Sequence, residues 1–271
     1  MQTREEAFGL LVQAVSGMAG VVAIGKSGGG QLPENNESDI DVFVFCTGIP
    51  GIQSRKVAIG TLGGIVKSAG FGEREGRHWG LCDFICLDGA EICLMYFTVQ
   101  GMNRELDSVL RGERLDKEDN YFYPTGRCAS FESMHAFYDP NGYIASVKHR
   151  LTHYPDDLSK RLVKRHFDAL MDMEDIERAV LRKDTLFYHF ALDLALDHLL
   201  QLLFAMNGRF FPSRKRSVQY IRAFNIKPVD CEERLLHMVA LGGEAESIEQ
   251  SYGILRALRD DISELVSGGT Q

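Results

Sequence analysis

The sequence has no pair of cysteines at the C-x-x-C spacing that zinc sites and dithiol redox motifs use. The six cysteines lie mostly in apolar runs of strand type, at positions 46, 82, 86, 93, 128 and 231. Neither a zinc site nor a redox motif is therefore indicated. We expect buried free thiols in a reducing cytoplasm.

The sequence also lacks an excess of basic residues. It has 30 Lys and Arg against 38 Asp and Glu, a formal net charge of −8. This balance argues against a nucleic-acid surface built on bulk positive charge. No apolar run reaches the ~18 residues of a membrane span, and the acidic, amphipathic N-terminal stretch is unlike a signal peptide. A cytoplasmic protein without a membrane partner is expected.

The 271 residues contain neither repeats nor long low-complexity tracts, and the periodicity changes once along the chain. Up to Tyr138 it mixes helical and strand patterns, with helices predicted over 3–18, 53–69 and 100–111 and strands over 79–87 and 91–99. Beyond the turn residues 138–142 it is helical throughout, with helices predicted over 143–153, 158–182 and 185–206. We predict an α+β chain, with an αβ domain over 1–138 and a helical bundle over 139–271.

The most informative stretch runs from Val21 to Phe45. An apolar run, Val21–Ile24, is followed by a glycine-rich and then polar loop, and a strand pattern begins near Asp39 and Asp41. Residues two apart on a strand share a face, so these two carboxylates project together while Ile40 and Val42 point into a core. Such carboxylates repel each other unless a cation lies between them, and Mg²⁺ bound to substrate phosphates fits this pattern.

This stretch resembles the signature of the DNA polymerase β-like nucleotidyltransferase superfamily. Ile24-Gly25-Lys26-Ser27 is similar to its first half, with Lys26 as a departure, and Ser38-Asp39-Ile40-Asp41-Val42 is similar to its second half. The Ser-Asp-Ile-Asp form is typical of the antibiotic-type (aminoglycoside and lincosamide) enzymes. The resemblance implies a mixed sheet with helices, followed by a helical bundle.

The resemblance also implies site residues. Asp39 and Asp41 would bind two Mg²⁺ ions when nucleotide is present, and Gly25, Ser27, Gly28 and Ser38 would hold the triphosphate. In the helical half, Lys215 lies in a loop where a lysine of the antibiotic-modifying enzymes reaches the triphosphate. The alternative for Lys215 is a solvated basic loop.

A third carboxylate is open to several interpretations. Glu91 would share a strand face with Cys93, and a Glu at such a position is similar to the general base and third metal ligand of the aminoglycoside adenylyltransferases. Asp83, on the preceding strand, is the other candidate. Alternatively, Cys93 occupies the acidic position and the site has lost a carboxylate.

Acidic side chains in the helical half could recognise a cationic acceptor. Asp193 and Asp197 lie one turn apart on the long predicted helix 185–206. An exposed stripe on a bundle helix is the alternative interpretation.

One motif competes with this interpretation. Residues 20–27 match the phosphate-binding pattern G-x-x-x-x-G-K-[ST], and Asp88 could end a partner strand. A P-loop needs a helix that begins at the Lys-Ser pair, and the three glycines after Ser27 disfavour one.

The sequence therefore predicts transfer of a nucleoside monophosphate, AMP from Mg-ATP, to a hydroxyl of a small, aminoglycoside-like molecule. A catalytically degenerate nucleotide-binding protein of the same fold, or a P-loop NTPase, are the alternatives.

Overall fold

The computed structural model describes residues 4–28, 32, 39–87, 89–117 and 122–268, with Arg77 described by its backbone alone. The chain divides into two compact units. The first contains Met1–Val109 and Arg127–His153, and the second contains Leu110–Gly126 and Tyr154–Gln271. The chain thus leaves the first unit and returns to it, which differs from the single predicted boundary after Tyr138.

The first unit combines helices with a mixed sheet. Its helices are α1 (Arg4–Ser16), α2 (Ile52–Gly60), α3 (Val99–Leu110), α4 (Gly126–Glu132) and α5 (Tyr143–Leu151). Its strands are β1 (Val21–Lys26), β2 (Ile40–Cys46), β3 (Val66–Phe71), β4 (Leu81–Leu87), β5 (Ala90–Thr98) and β6 (His135–Tyr138).

The six described strands form one sheet in the order β3-β4-β5-β2-β1-β6. Strands β2 and β5 are parallel, and every other neighbouring pair among these six is antiparallel. In the parallel register Ile40 pairs with Ile92 and Asp41 with Cys93. Because strand residues alternate between faces, this register fixes which side chains of β2 and β5 meet.

The two faces of the sheet differ. One face carries Ile40, Val42 and Val44, which are buried in a core that includes Phe8 and Leu11 of α1. The opposite face carries an aromatic series. In that series Phe43 stacks with Phe45 and Phe97, and Phe45 stacks with Phe131 at the end of α4. The aliphatic face packs into the core, and Asp41 is the first residue of β2 on the opposite face.

The helix predicted over residues 53–69 is wrong in its second half. Helix α2 ends at Gly60, and Gly63 has a φ of +56°, in the left-handed region. Glycine enters that region without a steric cost, so the chain changes direction after the end of α2 and does not resume the helix. The chain then forms β3, an edge strand whose residues are mostly exposed.

The second unit is helical. Its helices are α6 (Asp156–Met171), α7 (Glu174–Arg182), α8 (Thr185–Met206), α9 (Ser217–Arg222), α10 (Cys231–Leu241) and α11 (Ile248–Gly268). The helix predicted over 158–182 is two helices, because the chain turns at Asp172 and Met173. Helix α8 has the predicted bounds and is central to the unit's core, in which Leu199 and Leu203 are fully buried. The predicted α+β class, with a mixed sheet and C-terminal helices, is confirmed.

Helix α8 also meets the length and composition criteria of a membrane span. Its apolar 18-residue window has a mean hydropathy of 1.3, and 50% of that window is buried inside the protein. The central helix of a helical core passes the same test, so this observation is weak support for a membrane role.

Two histidines meet in the interior of the helical unit. The Nδ1 atoms of His166 on α6 and His198 on α8 are 3.0 Å apart, so one ring donates to the other. Among the described residues, Nε2 of buried His166 has no hydrogen-bond partner. Burial, reinforced by the His198 and Arg165 charges, lowers the pKa of His166 to about 3, although Asp197 opposes the shift. Burial lowers the pKa of His198 as well.

This pair predicts an acid-sensitive helical unit. Unfolded histidine takes up a proton below about pH 6.5, whereas folded His166 stays neutral to about pH 3. The free energy of unfolding is therefore highest above about pH 6.5, where histidine is neutral in both states. It decreases as the pH falls, by about 2 kcal/mol at about pH 5 for His166 alone. Urea unfolding of the wild type and of His166→Gln at about pH 7.5 and about pH 5 measures this contribution. The exposed His153→Gln variant is the control; equal acid sensitivity in all three proteins would contradict the prediction.

Candidate functional site

The two carboxylates predicted as metal ligands lie at the start of β2. Asp39 immediately precedes the strand and Asp41 is its second residue. Both side chains are exposed, whereas Ile40 between them is buried in the sheet core. The expected alternation is therefore present, and the carboxylates share the face opposite the aliphatic core.

The side chain beside Asp41 on the neighbouring strand is a thiol. The parallel register pairs Asp41 with Cys93, which is 9% exposed. Glu91 lies two residues before Cys93 on the same face and is exposed. One further step of the register sets Glu91 beside Asp39. The carboxylates of Asp39, Asp41 and Glu91 thus belong to one face of β2 and β5.

The fit of these residues to a metal ion is partial. Asp39 and Asp41 supply the hard oxygen ligands that Mg²⁺ requires. Within the described parts of the chain, no three His, Cys, Asp or Glu side chains are grouped closely enough to hold a metal ion. A site that includes Glu91 therefore requires a different rotamer of this side chain, which has three rotatable bonds.

Asp83 does not belong to this face. It pairs with Leu94 in the β4–β5 register, so it points into the aliphatic core, where it is 0% exposed. It forms a buried ion pair with Arg55 of α2 and accepts a hydrogen bond of 3.1 Å from the backbone N–H of Gly72. Burial raises the pKa of Asp83 even though Arg55 opposes the shift. The alternative that Asp83 is the third carboxylate is therefore wrong.

The predicted phosphate-binding residues follow β1. Gly28 has a φ of +81°, and its N–H donates to Oγ of Ser133, 3.1 Å away. The hydroxyl of Ser27 is 3.2 Å from the same Oγ atom. The N–H donor of Gly28 and the hydroxyl of Ser27 thus meet at one oxygen, and a phosphate oxygen at this point could accept from both. Ser38 lies outside the described residues. The sequence pattern did not reveal Ser133, because it is 106 residues from Ser27.

Gly25 lies inside β1 and is buried. A Cβ atom at this position would lie 2.8 Å from Met134 and 2.9 Å from Ile144. Glycine is needed here for close packing against these side chains. Its contribution to phosphate binding stays a prediction.

The P-loop interpretation is wrong for this chain. Residues 21–26 form strand β1, paired with β2 and β6, where a P-loop requires the phosphate-binding loop itself. Lys26 ends the strand, and Ser27 and Gly28 form a turn. Asp88 lies outside the described residues. Lys26 is 9% exposed, and burial lowers its pKa although the nearby Asp41 charge opposes the shift. Lys26 pairs with Val42, so it belongs to the face opposite Asp41, although the Asp41 charge still acts on its pKa.

In the helical unit, Asp193 and Asp197 are occupied by internal partners. Asp197 is buried and accepts hydrogen bonds from Tyr123, from Lys117 at 3.1 Å and from Arg214 at 2.7 Å. Burial alone would raise the pKa of Asp197, but the Tyr123 and Arg214 hydrogen bonds lower it overall. Asp193 pairs with Arg214. These contacts differ from an acidic surface open to a cationic acceptor. Lys215, next in the chain, is exposed, and its triphosphate contact stays a prediction.

A family model and a solved protein structure are similar to this chain. A family described as a domain of unknown function (DUF4037) matches residues 123–216. A nucleotidyltransferase-like protein from Exiguobacterium sibiricum 255-15 has a similar solved structure, with 14% identity, 98% of this chain and 77% of that chain covered, and a TM-score of 0.48. Similarity of this size carries no conclusion about function. No curated protein sequence matches the chain.

Proposed function

We propose that this chain is a metal-dependent nucleotidyltransferase that transfers a nucleoside monophosphate, AMP from Mg-ATP, to a hydroxyl of a small molecule. The observation that carries the proposal is the exposed carboxylate pair, Asp39 and Asp41, on one face at the start of a strand that is otherwise buried. The sequence signature around this pair, and the turn of Ser27 and Gly28 that follows β1, support the same assignment.

Each of the site residues has a distinct role in the proposed reaction. Asp39 and Asp41 hold the metal ions, and Glu91 completes the carboxylate set after a change of rotamer. Bound Mg²⁺ would neutralise the triphosphate charge and stabilise the attacking and leaving oxygens. Glu91 accepts the proton of the acceptor hydroxyl. Ser27 and the N–H of Gly28 orient the triphosphate, since the N–H is a donor, the hydroxyl can donate, and both lie within hydrogen-bond distance of one oxygen.

The wider proposal keeps Ser38 and Lys215 as further triphosphate contacts and an aminoglycoside-like molecule as the acceptor. The net charge of −8 disfavours nucleic acid as a partner. A cytoplasmic location agrees with six free cysteines.

A second function is favoured by one observation. Cys93 lies beside Asp41, where a third acid would contact the same metal ion. If Glu91 does not reach that ion, the protein binds Mg-ATP without turnover. This degenerate nucleotide-binding protein shares the carboxylate pair with the enzyme, so nucleotide binding alone does not separate the two functions.

Titration calorimetry of ATP with and without Mg²⁺ tests the site. We expect Mg²⁺-dependent binding in the wild type and a loss of about 100-fold or more in Asp39→Asn and Asp41→Asn, because several kcal/mol of charge neutralisation disappears. Asp107→Asn is the matched control, since its carboxylate pairs with Arg150 at the surface of the same unit. Binding that is independent of Mg²⁺ and unchanged in both variants would reject the site.

A further inference from the structure

Two thiols meet on the face of the sheet that carries Asp41. Strands β4 and β5 are antiparallel, with Cys82 paired to Met95 and Phe84 paired to Cys93. Cys82 and Cys93 are therefore diagonal neighbours on the same face. The two thiols are near enough for each to shift the pKa of the other, and the Cys82 thiol donates to the backbone oxygen of Trp79, 3.3 Å away.

Cys86 provides an internal comparison. It pairs with Glu91, so it is the diagonal neighbour of Cys93 on the other side. The right-handed twist of a sheet makes the two diagonals unequal. Cys86 is half-exposed like Cys82, but it is the Cys82 thiol that shifts the pKa of Cys93.

We propose that Cys82 and Cys93 form a reversible modification site, in which a two-electron oxidant of the hydrogen peroxide class joins them as a disulfide. Cys82 is half-exposed and reaches the oxidant, whereas Cys93 is buried behind it. Free thiols elsewhere in the chain, at Cys46, Cys128 and Cys231, are buried.

The chemistry balances without a further reactant. The Cys82 sulfur attacks one peroxide oxygen, the O–O bond breaks, and the first water leaves after protonation. The resulting sulfenic acid is attacked by the Cys93 sulfur, the S–S bond forms, and the hydroxyl leaves as the second water. Two thiols lose two electrons and two protons, and one peroxide becomes two waters.

The environment of Cys82 favours its role as the attacking thiol. The neighbouring Cys93 thiol holds the pKa of the Cys82 thiol below its ordinary value, and the Arg127 charge acts in the same direction, whereas the Cys82 thiol and burial raise the pKa of Cys93. Burial and the charges of Asp41 and Asp83 oppose the lowering of the Cys82 pKa. Arg127 is fixed nearby, with its guanidinium 4.7 Å from the Phe97 ring centre and 5.4 Å from that of Phe43.

The disulfide would be a labile bond. Diagonal neighbours on a sheet are about 7–8 Å apart, beyond the ordinary Cα separation of a disulfide, so the strands must shift to close the bond. A bond formed under strain is more easily reduced, which suits reversible modification.

The shift acts on the proposed metal site, and this consequence rests on the proposed function. Cys93 is the neighbour of Asp41 on β5. Closing the bond draws Cys93 toward β4 and away from β2, which changes the spacing between Asp41 and Glu91. Because metal ligands tolerate only about 0.2 Å of displacement, we expect Mg²⁺-dependent ATP binding to weaken by about tenfold or more.

Peptide mapping tests the bond directly. Cleavage after Lys and Arg, combined with cleavage before Asp, places the three cysteines on separate fragments, 78–82, 83–87 and 88–104. After hydrogen peroxide treatment of the folded protein we expect fragment 78–82 joined to fragment 88–104, and release of the two by dithiothreitol. The link should persist in Cys86→Ser and disappear in Cys82→Ser and Cys93→Ser.

Three results would overturn the proposal: no linked fragments, a link between 83–87 and 88–104, or the expected link with unchanged Mg²⁺-dependent ATP binding. If the reduced wild type binds no Mg-ATP, the proposed function is rejected. Peptide mapping then still shows whether peroxide joins Cys82 to Cys93. Cys82→Ser is the preferred variant for folding, because this side chain is half-exposed.

Discussion

Replacing Asp83 by alanine is expected to lower the free energy of unfolding of the sheet unit by about 3–5 kcal/mol, because the variant leaves a charged Arg55 in the core without its partner. Arg55 is 2% exposed and donates to Asp83 and to the backbone oxygens of Pro50 and Gly72. The two backbone acceptors remain in the variant, but they do not neutralise the charge.

The pKa of Asp83 is raised, so burial destabilises the charged carboxylate more than its contacts with Arg55 stabilise it. The ion pair therefore contributes little net stability. Removing one partner is nevertheless destabilising, because the other charge then stays buried without a partner. We expect the double variant Arg55→Met/Asp83→Leu to be more stable than either single variant, since apolar residues of similar volume can replace a buried pair.

Urea unfolding followed by tryptophan fluorescence measures this effect. Trp79 is the single tryptophan and lies in the sheet unit, directly before β4, so its signal reports on that unit. The exposed pair Arg150–Asp107 supplies the control, because Asp107→Ala should change stability by at most about 1 kcal/mol. A similar small change in Asp83→Ala would contradict the assignment of a buried charge pair.

Strand β4 shows what the sequence pattern could have revealed. Leu81, Ile85 and Leu87 alternate along the strand and are buried, and Asp83 falls in register with them. A carboxylate in phase with apolar neighbours indicates a buried ion pair, whereas Asp39 and Asp41 are out of phase with the apolar residues beside them. The same periodicity rule therefore identifies the carboxylate pair correctly and excludes Asp83.

Other features depend on contacts that are distant in sequence. The pairing of β6 with β1, and the contact of Ser133 with Ser27, join segments more than 100 residues apart. Local patterns indicate that a strand or a turn exists, but they do not specify its neighbour in the sheet. The position of Cys93 beside Asp41 likewise became definite only with the parallel register.

Whether Glu91 acts as the third carboxylate distinguishes an active enzyme from a degenerate nucleotide-binding protein. We expect Glu91→Gln to reduce turnover by about 10²–10⁴-fold, the usual contribution of a positioned general base, while the Kd for Mg-ATP rises by only about tenfold through the lost metal ligand. Pyrophosphate release in a screen of hydroxyl acceptors measures turnover, and calorimetry measures the Kd. Glu75→Gln, an exposed glutamate of the same unit, is the control.

Glu91 and Cys93 are the two side chains of β5 that lie nearest Asp39 and Asp41 on the carboxylate face. The kinetics of variants at these two positions therefore show which of them acts in the site. A loss of turnover that is much larger than the loss of Mg-ATP binding identifies Glu91 as the base. Turnover that is unchanged in Glu91→Gln contradicts that role. If the wild type binds Mg-ATP without turnover, Cys93→Asp adds a carboxylate directly beside Asp41, and tighter Mg²⁺-dependent binding in this variant would show that Cys93 occupies the position of a lost acid.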